Sequence, residues 1–390
     1  MSSLEFNFNS RIQKVKNLIK EKDLDYILIT NLQNLYWLSA SAQYGILLIS
    51  ESEDPILFVR RNFFKAKEES FINNILELEK TSQIRNYLKK GEISFEDLKI
   101  GMELDSLPAS FYLYYKNLFK NIRIENVELE LRRLRMIKDK KELEIFREAG
   151  QVVQKTQEII PKILRKGVKE YEVAAEIMHV AIKNKSVHFS NVNATFGKNW
   201  FILASGKNLW TPSYFPILSG GGISNAIPYG YSEREIQKGD MVMCDFAINY
   251  KGYHADHART YYVEEMPNKF KERYLILKNV YLEVVEQYLR SGTPVNVLYN
   301  KMRQRLGKYN LGKYFEGDGY YYQGLGHGIG LELDEPPAIT SKNNTELQEN
   351  MVIALEPKII IPDWGAIDLE DDWIIKRNSA ERITNTEYLF

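Results

Sequence analysis

"MVMCDFAINYKGYHAD", residues 241–256, reads as a buried strand, a turn and the start of a second strand, and it sets two carboxylates where an apolar core is expected. Met, Val, Cys, Phe and Ile surround Asp245, and Asp256 follows just past the turn "NYKG". A symmetric loop centred between Tyr250 and Lys251 puts Asp245 directly opposite Asp256, with Cβ atoms about 4.5–5.5 Å apart on one face. Met243 and Phe246 would shield the two charges from water. Buried, unpaired carboxylates cost several kcal/mol each, so the arrangement requires protons, basic side chains or a metal to compensate. Arg259 alone neutralises no more than one of the charges.

The design recurs near the end of the chain. Glu356 follows "MVIAL" and Glu370 follows "GAIDL", on either side of the turn "PDWG". Four acidic residues therefore occupy positions of apolar strands. Carboxylate oxygens with one imidazole suit Mn, Fe, Co or Zn, and two metals sharing carboxylates would absorb the combined charge. An imidazole is available in "GLGHGIG", where glycines on both sides of His327 permit close backbone approach; alone, that motif reads equally as a glycine-rich turn.

Working outward, 390 residues suffice for two domains. Up to about residue 120, helical spacing in "RIQKVKNLIKEKDLD" alternates with short apolar runs, "DYILIT", "GILLIS" and "PILFVR", which predicts a small α/β domain. A charged stretch, "NIRIENVELELRRLRMIKDKKELE", leads into a long helical pattern, so the boundary is placed near Arg133, giving domains 1–132 and 133–390. Lys plus Arg equals Asp plus Glu at 52 each, which gives no reason to expect nucleic acid or an anionic membrane as partner. No run approaches the roughly 18–20 apolar residues of a membrane span, and the start lacks a signal-peptide core, so a soluble, cytoplasmic protein is expected. The single cysteine, Cys244, excludes an intramolecular disulfide and reads as a small buried apolar residue.

An Asp, a second Asp eleven positions on, a His in "GHGIG", then "EP" and a Glu in a late strand resemble the pita-bread metallopeptidase family, which includes methionine aminopeptidase, aminopeptidase P and prolidase. "LRMIKDKKELEIFREAG" is similar to the usual opening of its catalytic domain. "TNLQNLYWLSA" lies in a region resembling the amino-terminal domain of creatinase, aminopeptidase P and prolidase, which methionine aminopeptidase lacks. The resemblance implies an α/β (α+β) chain: a creatinase/prolidase-type α/β domain, then a catalytic domain with a curved antiparallel sheet covered by helices. It implies two divalent metal ions, with Asp245 on one, His327 and Glu356 on the other, and Asp256 and Glu370 shared. It further implies a metal-activated water whose proton Glu356 takes, and a homodimer.

Three family positions differ here. Tyr229, in "SNAIPYG", stands where a family histidine contacts the substrate; it can donate a hydrogen bond, but it does not titrate near neutrality as an imidazole does. Asp334, in "LELDEPP", replaces a second histidine and would favour a substrate with a free amino group, and Asp368 replaces an arginine. His254 shares the face of the two aspartates and is a candidate partner of the site, whereas His179, His188 and His257 read as packing or exposed residues. The glycine-rich "LSGGGISNAIPYG" lacks the context of a phosphate-binding loop and reads as a pocket wall.

The expected function is a metal-dependent Xaa-Pro exopeptidase acting on a peptide or small amide. Creatinase, ectoine hydrolase and a sulfoniopropionate lyase resemble the same family, so another reaction on this fold is the first alternative. Creatinase itself works without metal, which the intact ligand set argues against. The second alternative, a silent binding module, is opposed by five retained ligands and zero net charge.

Overall fold

The computed structural model describes residues 6–88, 98–119, 122–187, 201–211, 218–317 and 324–390. The chain divides into two compact units, Met1–Arg135 and Met136–Phe390.

The first unit runs α1 (Phe8–Glu21), β1 (Tyr26–Ile29), α2 (Leu32–Ser39), β2 (Gly45–Ser50), β3 (Ile56–Val59), α3 (Phe63–Glu69), β4 (Asn74–Glu77), β5 (Lys99–Met102), α4 (Ala109–Leu118), β6 (Arg123–Asn126) and α5 (Glu128–Leu134). Its mixed six-stranded sheet has the order β4-β3-β2-β1-β5-β6. β1, "YILI", is buried on both faces, as the apolar run requires at the middle of a sheet covered on both sides. Asn31 caps α2 by accepting from the Gln33 and Asn34 amides.

The second unit runs α6 (Lys140–Gln157), α7 (Ile160–Ile163), α8 (Glu170–Lys183), β7 (Phe201–Ser205), β8 (Met241–Tyr250), β9 (Tyr253–Tyr262), α9 (Phe270–Tyr288), α10 (Val295–Gly307), β10 (Gly326–Gly328), β11 (Val352–Leu355), β12 (Lys358–Ile361), β13 (Gly365–Asp368), β14 (Asp371–Ile375) and β15 (Ala380–Arg382). "DKKE" starts α6 by a reciprocal cap: the Glu142 amide donates to Asp139 and the Asp139 amide donates to the Glu142 carboxylate. Its Ala149, Val152 and Val153, with Val173 and Ile177 of α8, pack on Val242, Cys244, Phe246 and Ile248, one face of β8. The opposite face, with Met241 and Met243, joins the core built on Tyr274, Leu277 and Tyr281 of α9 and Leu298 and Met302 of α10. Both units thus have the expected α/β character, and the second sandwiches antiparallel strands between two helix pairs. Cys244 is fully buried and burial pushes its thiol pKa upward, which removes thiolate chemistry from it.

The β8–β9 turn corrects the expected register. Tyr250 pairs with Tyr253 across a two-residue loop in which Lys251 (φ 53°) and Gly252 (φ 89°) are both left-handed, the geometry that matches strand twist in a tight hairpin. Asp245 therefore faces Ala258, and Asp256 faces Ala247. The slip is two residues, so both carboxylates keep the same face and become diagonal neighbours rather than direct opposites.

Arg147 of α6 grips Glu381 of β15 with two hydrogen bonds, 2.6 and 2.9 Å, and Lys376 adds a contact at 2.9 Å. The Arg147 hydrogen bond, against a smaller opposing effect of burial, pulls the Glu381 pKa down from 4.5 to about 2. A depressed carboxylate stabilises the fold above its ordinary pKa, and that contribution disappears as pH falls through its folded value. Arg147→Met is accordingly expected to cost at most about 1 kcal/mol at pH 7, since the pair is partly solvated. In urea melts, the gap between variant and parent should close as the pH is lowered from 4.5 towards 2.

Candidate metal centre

Asp245 and Asp256 come from one face of the β8–β9 hairpin. β10 brings His327 beside β11, pairing it with Ala354. The glycines around it are required by contact: a Cβ on Gly326 (φ 150°) would lie 2.0 Å from the Ala354 carbonyl, and one on Gly328 would lie 2.2 Å from the Pro336 carbonyl. Behind this segment, the buried Lys138 ammonium pairs with Glu335 at 3.2 Å, and the Glu335 amide donates to the Gly328 carbonyl at 2.7 Å.

Glu356 and Glu370 come from an interrupted hairpin. Leu355 pairs with Asp371 at the inner end of one ladder and Lys358 with Asp368 at the outer end of the next, so Glu356–Pro357 and Leu369–Glu370 face each other across a gap. Pro357 has no N–H to continue the ladder. The free backbone turns elsewhere: the Glu356 amide donates to the Leu325 carbonyl at 2.9 Å and the Glu370 amide to the Ala258 carbonyl at 3.0 Å. This gap aims the acidic side chains at β9 and β10.

Asp256, His327 and Glu370 each bring one ligand atom to within 4.8 Å of the others. Glu370 Oε1 is buried and, among the described residues, has no hydrogen-bond partner, an uncompensated acceptor of the kind a cation satisfies. Burial first, then the neighbouring Asp245 charge, holds the Asp256 pKa well above the usual range; burial, then Asp256 and Glu356, does the same for Glu370. Burial would lower the His327 pKa, but Asp334, Glu356 and Asp256 outweigh it and push it up to about 9. A site whose carboxylates resist ionising while its imidazole keeps a proton is short of positive charge. Two carboxylates and an imidazole fit one divalent ion of the Mn, Fe, Co or Zn type.

Asp245 and Glu356 stand outside that triplet. Asp245 is buried on β8. Glu356 accepts a short hydrogen bond from the Lys358 ammonium, which also lies 3.6 Å from Asp368 Oδ2. Lys358 was missed in the sequence. Its signal was there: a lysine inside "PKIII", where every following neighbour is apolar.

The remaining candidates fall as follows. Asp334 is 59% exposed and its Oδ1 lies 3.1 Å from His327 Nε2, at the mouth of the centre. His254 is fully buried; its Nδ1 lies 3.0 Å from the Gly330 carbonyl and its Nε2 3.3 Å from the Asn249 amide, so its ring steadies the glycine segment that carries His327. Burial lowers its pKa to about 4, which keeps the ring neutral. Tyr229 lines an apolar cavity of roughly 340 Å³ with Ile177, Phe201, Ile227, Phe246 and Ala247. Ala247 is the cross-strand partner of Asp256, so this cavity adjoins the centre. His257 is buried on the opposite face, edge-on to Phe246, and His179 is exposed on α8. His188 lies outside the described residues. Arg259 pairs with Asp371 at 2.7 Å and so neutralises neither Asp245 nor Asp256.

Residues 144–377 match the model of metallopeptidase family M24, and residues 11–137 match that of the creatinase/prolidase N-terminal domain. The Xaa-Pro dipeptidase of Pyrococcus horikoshii is 28% identical over 383 residues, covering 97% of this chain and 98% of that protein. The Xaa-Pro dipeptidase of Pyrococcus furiosus is also 28% identical, over 380 residues, with the same coverage. Among solved structures, the prolidase from Pyrococcus horikoshii superposes with a TM-score of 0.81 at 28% identity, covering 98% of this chain and 99% of that one. An Xaa-Pro dipeptidase from Bacillus anthracis superposes with a TM-score of 0.82 at 28% identity, covering 98% of both chains. Among the described residues, no helix is long and apolar enough to cross a membrane.

Proposed function

The chain belongs to metallopeptidase family M24, and from that membership and the geometry of the centre we propose that it is a metal-dependent exopeptidase cleaving Xaa-Pro bonds. The observation that carries the proposal is the triplet Asp256, His327 and Glu370 with its buried, unpartnered Glu370 oxygen. Relatives named as Xaa-Pro dipeptidases, matched over nearly the whole of both chains, support the substrate class. The family resemblance adds Asp245 and Glu356 as donors of a second ion, whereas the triplet by itself supplies the donors for one ion of Mn, Co, Zn or Fe. A homodimer and a cytoplasmic location are proposed on the same resemblance.

When bound, the divalent ion supplies Lewis acidity, which lowers the pKa of a nucleophilic water and polarises the scissile carbonyl. Glu356 is proposed to take the water's proton as the oxygen adds to the carbonyl carbon. It then returns that proton to the proline nitrogen as the carbon–nitrogen bond breaks; in an Xaa-Pro bond that nitrogen carries no hydrogen of its own. Tyr229 is proposed to hydrogen-bond the substrate from the apolar cavity wall, and His254 to hold the His327 segment in place. Asp334, at the mouth, is proposed to receive the substrate's free amino group. Asp334→Asn should then lower kcat/KM roughly fivefold to tenfold for peptides with a free amino terminus, the equivalent of about 1 kcal/mol, and leave acetylated peptides unaffected.

The test of function is release of the amino-terminal residue from an Xaa-Pro dipeptide, a longer Xaa-Pro peptide and a proline-free dipeptide, with Mn, Co, Zn or Fe supplied. Cleavage confined to the Xaa-Pro substrates is expected. Bound metal without peptide cleavage would favour a hydrolase or lyase of a small amide or zwitterionic metabolite on the same fold, and absence of metal would favour a binding module.

A further inference from the structure

We propose that Lys358 is a built-in cation of the centre, standing in for a second metal ion, so that each chain holds one tightly bound divalent ion at Asp256, His327 and Glu370. The inference deepens the metal-centre reading and rests on it. Lys358 is 2% exposed, and its ammonium is directed at two carboxylates: it donates to Glu356 Oε2 and lies 3.6 Å from Asp368 Oδ2. Asp368 is its cross-strand partner and is itself buried, with no hydrogen-bond partner on either oxygen among the described residues, so the ammonium is the cation placed to compensate it.

The lysine is also fixed from the backbone side. Its amide donates to Glu316 Oε1 at 3.1 Å, the Glu316 amide donates back to the Lys358 carbonyl at 3.1 Å, and Glu316 is 1% exposed. A side chain launched from this clamped strand into a buried carboxylate cluster has no solvent to withdraw into. A divalent ion on Glu356 would require a metal–oxygen distance near 2.0–2.2 Å. The ammonium already occupies hydrogen-bond range of that carboxylate, so ion and lysine would meet as like charges at contact distance in a poorly screened interior. The triplet is clear of this conflict, since none of its three residues contacts Lys358 among the described hydrogen bonds and ion pairs. The division also leaves Glu356 to handle protons while Asp256, His327 and Glu370 hold the metal.

The test is metal content of the full-length protein by elemental analysis after saturation with Mn²⁺ and dialysis, together with the electron paramagnetic resonance spectrum of the Mn²⁺-loaded protein. One ion per chain with an uncoupled six-line spectrum is expected. Lys358→Met is expected to take up two ions and show a spin-coupled pair, while Lys358→Arg, which keeps the cation, stays at one. Two ions or a coupled spectrum in the unmodified protein would overturn the inference and leave the metallopeptidase reading standing. One ion in Lys358→Met would overturn it as well. Absence of stoichiometric metal from the unmodified protein would overturn both. The unmodified protein decides the question even if Lys358→Met fails to fold.

Discussion

Glu370→Ala is expected to lower kcat/KM for an Xaa-Pro dipeptide by about 10³-fold or more and to strip the chain of tightly bound metal. Lewis-acid stabilisation of the transition state is worth several kcal/mol, and each 1.4 kcal/mol is a factor of ten in rate. Glu370 gives the triplet its unpartnered oxygen, whereas its backbone is held independently, its amide on the Ala258 carbonyl and its own carbonyl accepting from Arg259 at 2.7 Å. The variant should therefore fold, and its circular dichroism and thermal melt should match those of the metal-depleted parent. His327→Ala is expected to behave in the same way. Loss of activity with metal content unchanged would mean that Glu370 acts on substrate instead of holding the ion.

Arg259→Met is expected to produce the largest loss of stability, about 3 kcal/mol, the lower end of the usual cost of breaking a buried ion pair, because Asp371 keeps Arg382 at 2.9 Å as a second cation. Arg259 is 2% exposed, donates to Asp371 at 2.7 Å, to Thr386 at 2.9 Å and to the carbonyls of Ala258 and Glu370, and stacks on the Tyr388 ring at 4.6 Å. The melting temperature should fall on the order of 10 °C. Adding Asp371→Leu should restore only part of the loss, because that carboxylate also accepts from Arg382 at 2.9 Å and Tyr388 at 2.8 Å. Equal destabilisation in the single and double variants would place the contribution of Arg259 in its carbonyl and aromatic contacts.

The hairpins that carry the acids were legible because a continuous apolar run of strand length is a strong local signal, and an aspartate in "MVMCDF" interrupts it visibly. The register was not. A symmetric loop is the default reading of "NYKG", and nothing local in Lys251 announces the left-handed backbone that shortens the turn by two residues. Face, the property that matters for a shared site, survived because the slip was even. Arg259 illustrates the opposite limit: its residue type suggested a partner for Asp245 or Asp256, but strand alternation turns it to the other face, towards Asp371. Glu356 was recognisable as an acid after an apolar run, yet its partner could not be read from sequence, because the Lys358 contact depends on a ladder that breaks at Pro357 and resumes one residue later. Tyr229 and Asp334 were found as departures from a family pattern; that one lines an apolar cavity and the other sits against His327 depends on tertiary placement.

Whether a divalent ion at Asp256, His327 and Glu370 drives Xaa-Pro hydrolysis is decided by a metal titration of the chelator-stripped protein with proline release from an Xaa-Pro dipeptide followed in parallel. No release is expected without metal, and activity should rise in proportion to bound ion, with His327→Ala flat throughout. Full proline release from the stripped protein, or an unchanged titration in His327→Ala, would contradict that role of the ion.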